Sequence, residues 1–124
     1  MKLKATKLAA CMFGLMSLSG VVLADAKVDA FEAATQNDYK KAAIIWANLA
    51  ERGDAQAQFN LAMTYHSGTA GVLNEEKALQ WYKKAAANGH PRAQEYLIVG
   101  YREGWFGLKK NESKARHWEA KLNQ

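Results

Sequence analysis

The sequence predicts an all-α fold, a short solenoid of about three stacked helical hairpins. Three observations predict it. Residues recur at a fixed period, apolar residues within each period fall at helical spacing, and capping residues stand at the ends of the expected helices.

The recurrence comes first. Ala57-Gln58, Leu61, Tyr65, Gly68 and Gly71 return 36 residues later as Ala93-Gln94, Leu97, Tyr101, Gly104 and Gly107. After one inserted residue the match continues at a spacing of 37, pairing Asn74, Glu75, Lys77, Ala78 and Trp81 with Asn111, Glu112, Lys114, Ala115 and Trp118. A shorter copy precedes them, with Lys41-Ala42 matching Lys77-Ala78 and Gly53 matching Gly89.

Each copy reads as two helices. Gln58, Leu61, Ala62 and Tyr65 fall at i, i+3, i+4 and i+7, as do Ala78, Trp81, Tyr82 and Ala85, and as do Ala42, Ile45, Trp46 and Leu49. Trp81 and Trp118 are therefore expected to be buried aromatics. Asn74 and Asn111 precede acids in a first turn, where an asparagine caps free N–H groups and the helix dipole favours negative charge. Gly53 and Gly89 follow helices, where a left-handed residue ends the coil. Pro91, the one proline, suits a first helical position, where its missing N–H is not needed. Asn37-Asp38-Tyr39 is expected to be a turn.

The first two dozen residues read differently. Lys2, Lys4 and Lys7 precede an apolar run from Leu8 to Leu23, followed by small residues around Ala24. This is the pattern of a cleavable export signal, with the mature chain beginning at Asp25. The run is shorter than the roughly 20 residues a spanning helix needs, so no stable membrane insertion is expected after cleavage. Leu8-Ala9-Ala10-Cys11 imitates a lipidation site, but its apolar stretch follows the cysteine instead of preceding it. The expected segments are a signal at 1–24, a degenerate hairpin at 25–53, and repeats at 54–90 and 91–124. Export predicts a periplasmic protein, or a secreted one.

Charge and cysteine usage then narrow the function. The formal net charge of the whole chain is +5. Without 1–24, 14 basic residues face 12 acidic ones, a net +2, and no nucleic-acid partner is expected. The lone cysteine also leaves with the signal, so neither disulfide nor thiol chemistry remains.

The run Ala57-Gln58-x-x-Leu61-x-x-x-Tyr65-x-x-Gly68, then Gly71-Val72, then Lys77-Ala78-x-x-Trp81-Tyr82-x-Lys84-Ala85-Ala86-x-x-Gly89 resembles the Sel-1-like repeat, a longer relative of the tetratricopeptide repeat. The second copy keeps Ala93-Gln94, Leu97, Tyr101, Gly104, Gly107, Lys114-Ala115 and Trp118. The resemblance implies a right-handed superhelical solenoid that binds protein or peptide partners in a concave groove, as in envelope assembly, control of a secreted enzyme, or toxin immunity. It also raises a hydrolase alternative, since some cysteine-rich members carry penicillin-binding or β-lactamase labels. This chain lacks their cysteines and any Ser-x-x-Lys motif.

The residues offer little to catalysis. There is no Gly-rich phosphate loop and no paired-histidine helix. His66, His90 and His117 stand far apart, with His90 beside Pro91 as a cap, so neither metal nor cofactor is expected. Asn111-Glu112-Ser113 matches a glycosylation sequon, but Asn111 already serves as a cap. Lys40-Lys41, Lys83-Lys84 and Lys109-Lys110 read as solvated pairs.

Two features suggest binding. On the side of the first helix away from Leu61 and Tyr65, Phe59 and Met63 lie one turn apart. Their counterparts are Glu95 and Val99, with Tyr96 adjacent and Arg92 on the same helix. In tetratricopeptide-like solenoids that side lines the groove, so these six residues are the candidate partner-binding set. The other reading packs Phe59 and Met63 against neighbouring helices. The second feature is Trp105-Phe106, where the preceding repeat has Thr69-Ala70. Either the pair is an exposed anchor or one ring folds back over the hairpin. In the last helix Glu119 replaces Tyr82 and Asn123 replaces Ala86, a polar cap, and no open polymer is expected.

Overall fold

The computed structural model describes residues 17–124. The basic start, most of the expected signal and Cys11 lie outside them. The described residues form six α-helices and one short 3-10 turn: α1 (Ser17–Thr35), α2 (Tyr39–Glu51), α3 (Ala55–Ser67), α4 (Glu75–Ala87), α5 (Pro91–Glu103), the turn Trp105–Gly107, and α6 (Glu112–Leu122). Each helix packs on its neighbours in the chain. The fold is an all-helical repeat solenoid, in agreement with the repeat pattern.

Three joints between helices share one construction. At the end of α2 the N–H of Gly53 bonds to Ala50 O at 3.0 Å and that of Asp54 to Leu49 O at 3.1 Å, with Gly53 at φ +91°. The end of α4 repeats it, with Gly89 to Ala86 at 3.0 Å and His90 to Ala85 at 2.9 Å. The end of α1 does the same with Asn37 at φ 62° in the left-handed position. In every case the next residue is already the cap of the following helix. Asp38, Asp54 and His90 accept from the backbone N–H three residues on, at Lys41, Ala57 and Ala93. A helix therefore ends and the next begins within four residues, which fixes the angle between successive helices.

A buried glutamine bolts each later joint. Gln58 Nε2 donates to Ala50 O at 3.0 Å, and Gln94 Nε2 donates to Ala86 O at 3.1 Å. Gln58 Oε1 also accepts from Asn88 Nδ2 at 2.9 Å. The repeated Ala-Gln pair thus has a physical cause. The alanine, almost without exposed surface, lets helices close up, and the glutamine satisfies the preceding helix end.

The core has two clusters. One gathers Ala30, Ala33, Ala42, Trp46, Leu49, Ala57 and Leu61 from α1 to α3. The other centres on Tyr82 and Leu97, the largest fully buried side chains. Burying each such side chain stabilises the fold by about 1.5–3 kcal/mol. Trp81 and Trp118 correct an expectation: both are only half-buried. They sit at the edge of the helical stripe, leaving its centre in the first repeat to Tyr82, and each carries a lysine ammonium over its ring, Lys84 at 4.3 Å and Lys121 at 5.0 Å.

α1 runs unbroken through Ala24-Asp25, the expected cleavage point. Most of its core contacts, Ala26, Ala30, Ala33 and Ala34, lie beyond that point, with Leu23 before it.

Candidate functional site

The candidate binding residues divide between two hollows, a buried floor and the open surface of α5. Phe59 is the floor. It is 6% exposed, stacked on the His90 imidazole at 4.4 Å and in contact with Tyr82 at 5.7 Å and Tyr96 at 5.9 Å. This corrects the expectation that Phe59 anchors a partner. Rings from α4 and α5 cover it, so it belongs to the core. Met63, one turn further along α3, is 38% exposed. A hollow of about 450 Å³ opens here, lined by Trp46, Phe59, Asn60, Met63 and Arg92 among others. Arg92 is exposed on its rim. Glu95 and Val99 are exposed on α5 and line neither hollow.

Beneath this surface runs a short polar chain. Tyr82 is fully buried, yet its hydroxyl donates to Met63 Sδ at 3.0 Å and lies 3.3 Å from His66 Nδ1. One hydroxyl proton cannot serve both neighbours, so the consistent arrangement has His66 Nδ1–H donating to Tyr82 Oη. Burial, and then Tyr96 stacked on it at 4.9 Å, push the Tyr82 hydroxyl above the usual tyrosine range. The His90 imidazole is held below its usual 6.5, first by burial and then by the charge of Arg92, against a smaller opposite pull from Asp54.

The second hollow, of about 490 Å³, is lined by His66, Glu75, Tyr96, Trp105 and Phe106. Its loop settles the reading of the aromatic pair. Phe106 folds back, packing edge-on to His66 at 4.9 Å and against Tyr82 at 5.7 Å. Trp105 stays 47% exposed. Phe106 does this at φ 56°, ψ 32°, between Gly104 at φ 75° and Gly107 at φ 71°. A bulky residue held in that region is strained.

Sequence reasoning placed Tyr96 correctly on α5 but not in this hollow, and it passed over His66 and Glu75. The contacts that gather them cross from one repeat to the next. Among the described residues no cluster of three His, Cys, Asp or Glu could hold a metal, and no described helix is long and apolar enough to cross a membrane.

An all-helical stack of repeated hairpins defines a helical repeat protein. The Sel1 repeat family model matches residues 55–90 and 96–118. The chain belongs to the Sel1-like repeat family. It is similar to the ERAD-associated E3 ubiquitin-protein ligase component HRD3A of Arabidopsis thaliana, 36% identical over 56 residues, which is 44% of this chain. It is also similar to chitin synthase regulatory factor 3 of Schizosaccharomyces pombe, 35% identical over 78 residues, 60% of this chain. In both cases the chain spans only 8% of the relative's length. Sel1 repeats indicate a protein-interaction scaffold.

Proposed function

We propose that the chain is an exported adaptor that works in the periplasm by holding one protein or peptide partner, without catalysis of its own. The partner lies along the α3 and α5 surface, against Met63, Tyr96 and Val99, with Arg92 and Glu95 setting its register. Phe59 supports that surface from beneath. The observation that carries this reading is the hollow beside Met63. It is apolar, it opens on a repeat face that the packing motif does not use, and its one charged lining residue is Arg92. Such a surface can bind but offers no acid–base pair to turn a substrate over. The names of the similar proteins, a ligase component and a regulatory factor, agree with a role exerted through other proteins. The signal pattern ending at Ala24 supports export.

A photo-crosslinking residue at Met63, with a second at exposed Arg116 as control, tests the binding face in living bacteria. The expected result is a discrete cross-linked partner from Met63 alone, on periplasmic protein whose first residue is Asp25. Equal labelling from both positions would overturn the face assignment, and full-length protein in the membrane fraction would overturn export.

A further inference from the structure

The two repeats differ in one constellation. In the second, Arg102 stands between two carboxylates, with Nη2 at 2.9 Å from Glu119 and Nε at 3.5 Å from Glu112. Arg116 also reaches Glu112, at 3.3 Å. In the register of the repeats, Arg102 corresponds to His66 at a spacing of 36, and Glu112 and Glu119 correspond to Glu75 and Tyr82 at a spacing of 37. The first repeat therefore keeps the carboxylate of Glu75 but has an imidazole where the guanidinium stood. Among the described residues Glu75 has no ion-pair partner.

Around that place stand aromatic rings. His66 is perpendicular to Tyr96, at 89°, and to Phe106, at 85°, and Trp105 is perpendicular to Phe106, at 85°. Aromatic walls meeting near right angles, with a carboxylate at the opening, are the chemistry that holds a cation by ring quadrupole and charge together. The loop supplying two of these walls is strained at Phe106 to keep one ring in while Trp105 remains out. Thr69-Ala70 at the same place in the preceding repeat has no rings to offer.

We propose that this hollow receives an arginine side chain of the protein partner, its guanidinium lying against Tyr96, Trp105 and Phe106 and paired with Glu75. The proposal rests on the adaptor reading and specifies part of the partner. Arginine is the cation of choice because its flat guanidinium stacks on aromatic faces and forks onto a carboxylate, whereas a lysine ammonium does only part of this. The chain's own Arg102 shows the position equivalent to Glu75 meeting a guanidinium one repeat later, at 3.5 Å.

The test is a titration of the full chain with acetyl-Gly-Arg-Gly-amide, followed by the indole N–H signal of Trp105 and the ring signals of His66. The isosteric neutral control is the citrulline tripeptide. Expected is saturable shifting by the arginine peptide with a Kd on the order of 1 mM, weakened by added salt, and no saturation with citrulline. Glu75→Gln, which leaves the Asn74 cap in place, should weaken binding about three- to tenfold. Trp105→Ala, at an exposed position, should abolish it while the helical circular dichroism is unchanged.

Equal shifts from the citrulline peptide, or unchanged affinity in Glu75→Gln, would overturn the proposal. So would shifts produced by phosphatidylcholine vesicles and not by the arginine peptide, which would mark a headgroup site. Arginine binding in a chain that cross-links to no protein at Met63 would uphold the hollow's chemistry and overturn the adaptor reading. A cross-linked partner with no arginine binding would do the reverse.

Discussion

Gln58 and Gln94 occupy the same repeat position and are both buried, yet they make different numbers of bonds, and that difference is measurable. Gln94 makes one side-chain hydrogen bond, to Ala86 O. Gln58 makes two, to Ala50 O and from Asn88 Nδ2. Each bond, buried to the carbonyls and partly buried to Asn88, contributes about 1 kcal/mol net, and truncation to alanine also removes a buried methylene, about 0.8 kcal/mol. Gln94→Ala should then cost about 2 kcal/mol and Gln58→Ala about 3 kcal/mol. In a domain of this size a gap of about 1 kcal/mol separates the melting temperatures by roughly 4–8 °C. Urea unfolding followed by circular dichroism gives both values at a common slope. Asn88→Ala completes a double-mutant cycle with Gln58→Ala, with an expected coupling of about 1 kcal/mol. Equal destabilisation by the two glutamine variants, with no coupling to Asn88, would refute the second bond of Gln58, and a negligible cost for both would refute the bolts between hairpins.

Phe59→Ala should cost about 3–5 kcal/mol, as a buried aromatic does, whereas Met63→Ser, which removes the acceptor of the Tyr82 hydroxyl, should cost only about 1 kcal/mol and lose the cross-linked partner. Protonating His90 favours the unfolded chain, because its folded value lies below 6.5. Its contribution is full above 6.5 and is lost as pH falls below that toward the folded value. His90→Asn keeps a capping acceptor without a titrating ring, so its melting temperature should fall less between pH 7.5 and 5.5 than that of wild type. Trp81→Ala should cost about 2 kcal/mol, below the range for a fully buried ring, because part of its surface is already in water. Thermal denaturation of each variant measures these differences.

The hairpins, their joints and their caps were legible because each is written within a few residues. Asn74, Asn111, His90, Gly53 and Gly89 all do what their local neighbourhoods require. The binding surface was not legible in the same way. Phe59 and Met63 share a face of α3, and periodicity treats them alike, because apolar residues run around most of that helix. What separates them is His90 and Tyr96, 31 and 37 residues away, which close over Phe59 and leave Met63 open. The Trp positions misled for a related reason. Identity between repeats marks a shared environment, and here that environment is the half-exposed edge of the stripe with a lysine above the ring. His66 and Glu75 carried a signal in the register itself, where Arg102 and Glu112 stand in the later repeat.

The glutamine bolts also give the molecule a direction. Each one finishes the helix before it, so a hairpin contributes its last hydrogen bond to its predecessor and waits for its successor to contribute the next. Opening the α5–α6 hairpin therefore strips Ala86 O of its Gln94 partner and loosens the end of α4, while opening α6 alone disturbs no bolt and takes only one buried residue of its own, Ala115, out of the core. Amide exchange should accordingly proceed in steps along the stack, with α6 releasing its protons first and the α3–α4 hairpin, bolted at both joints, holding them longest.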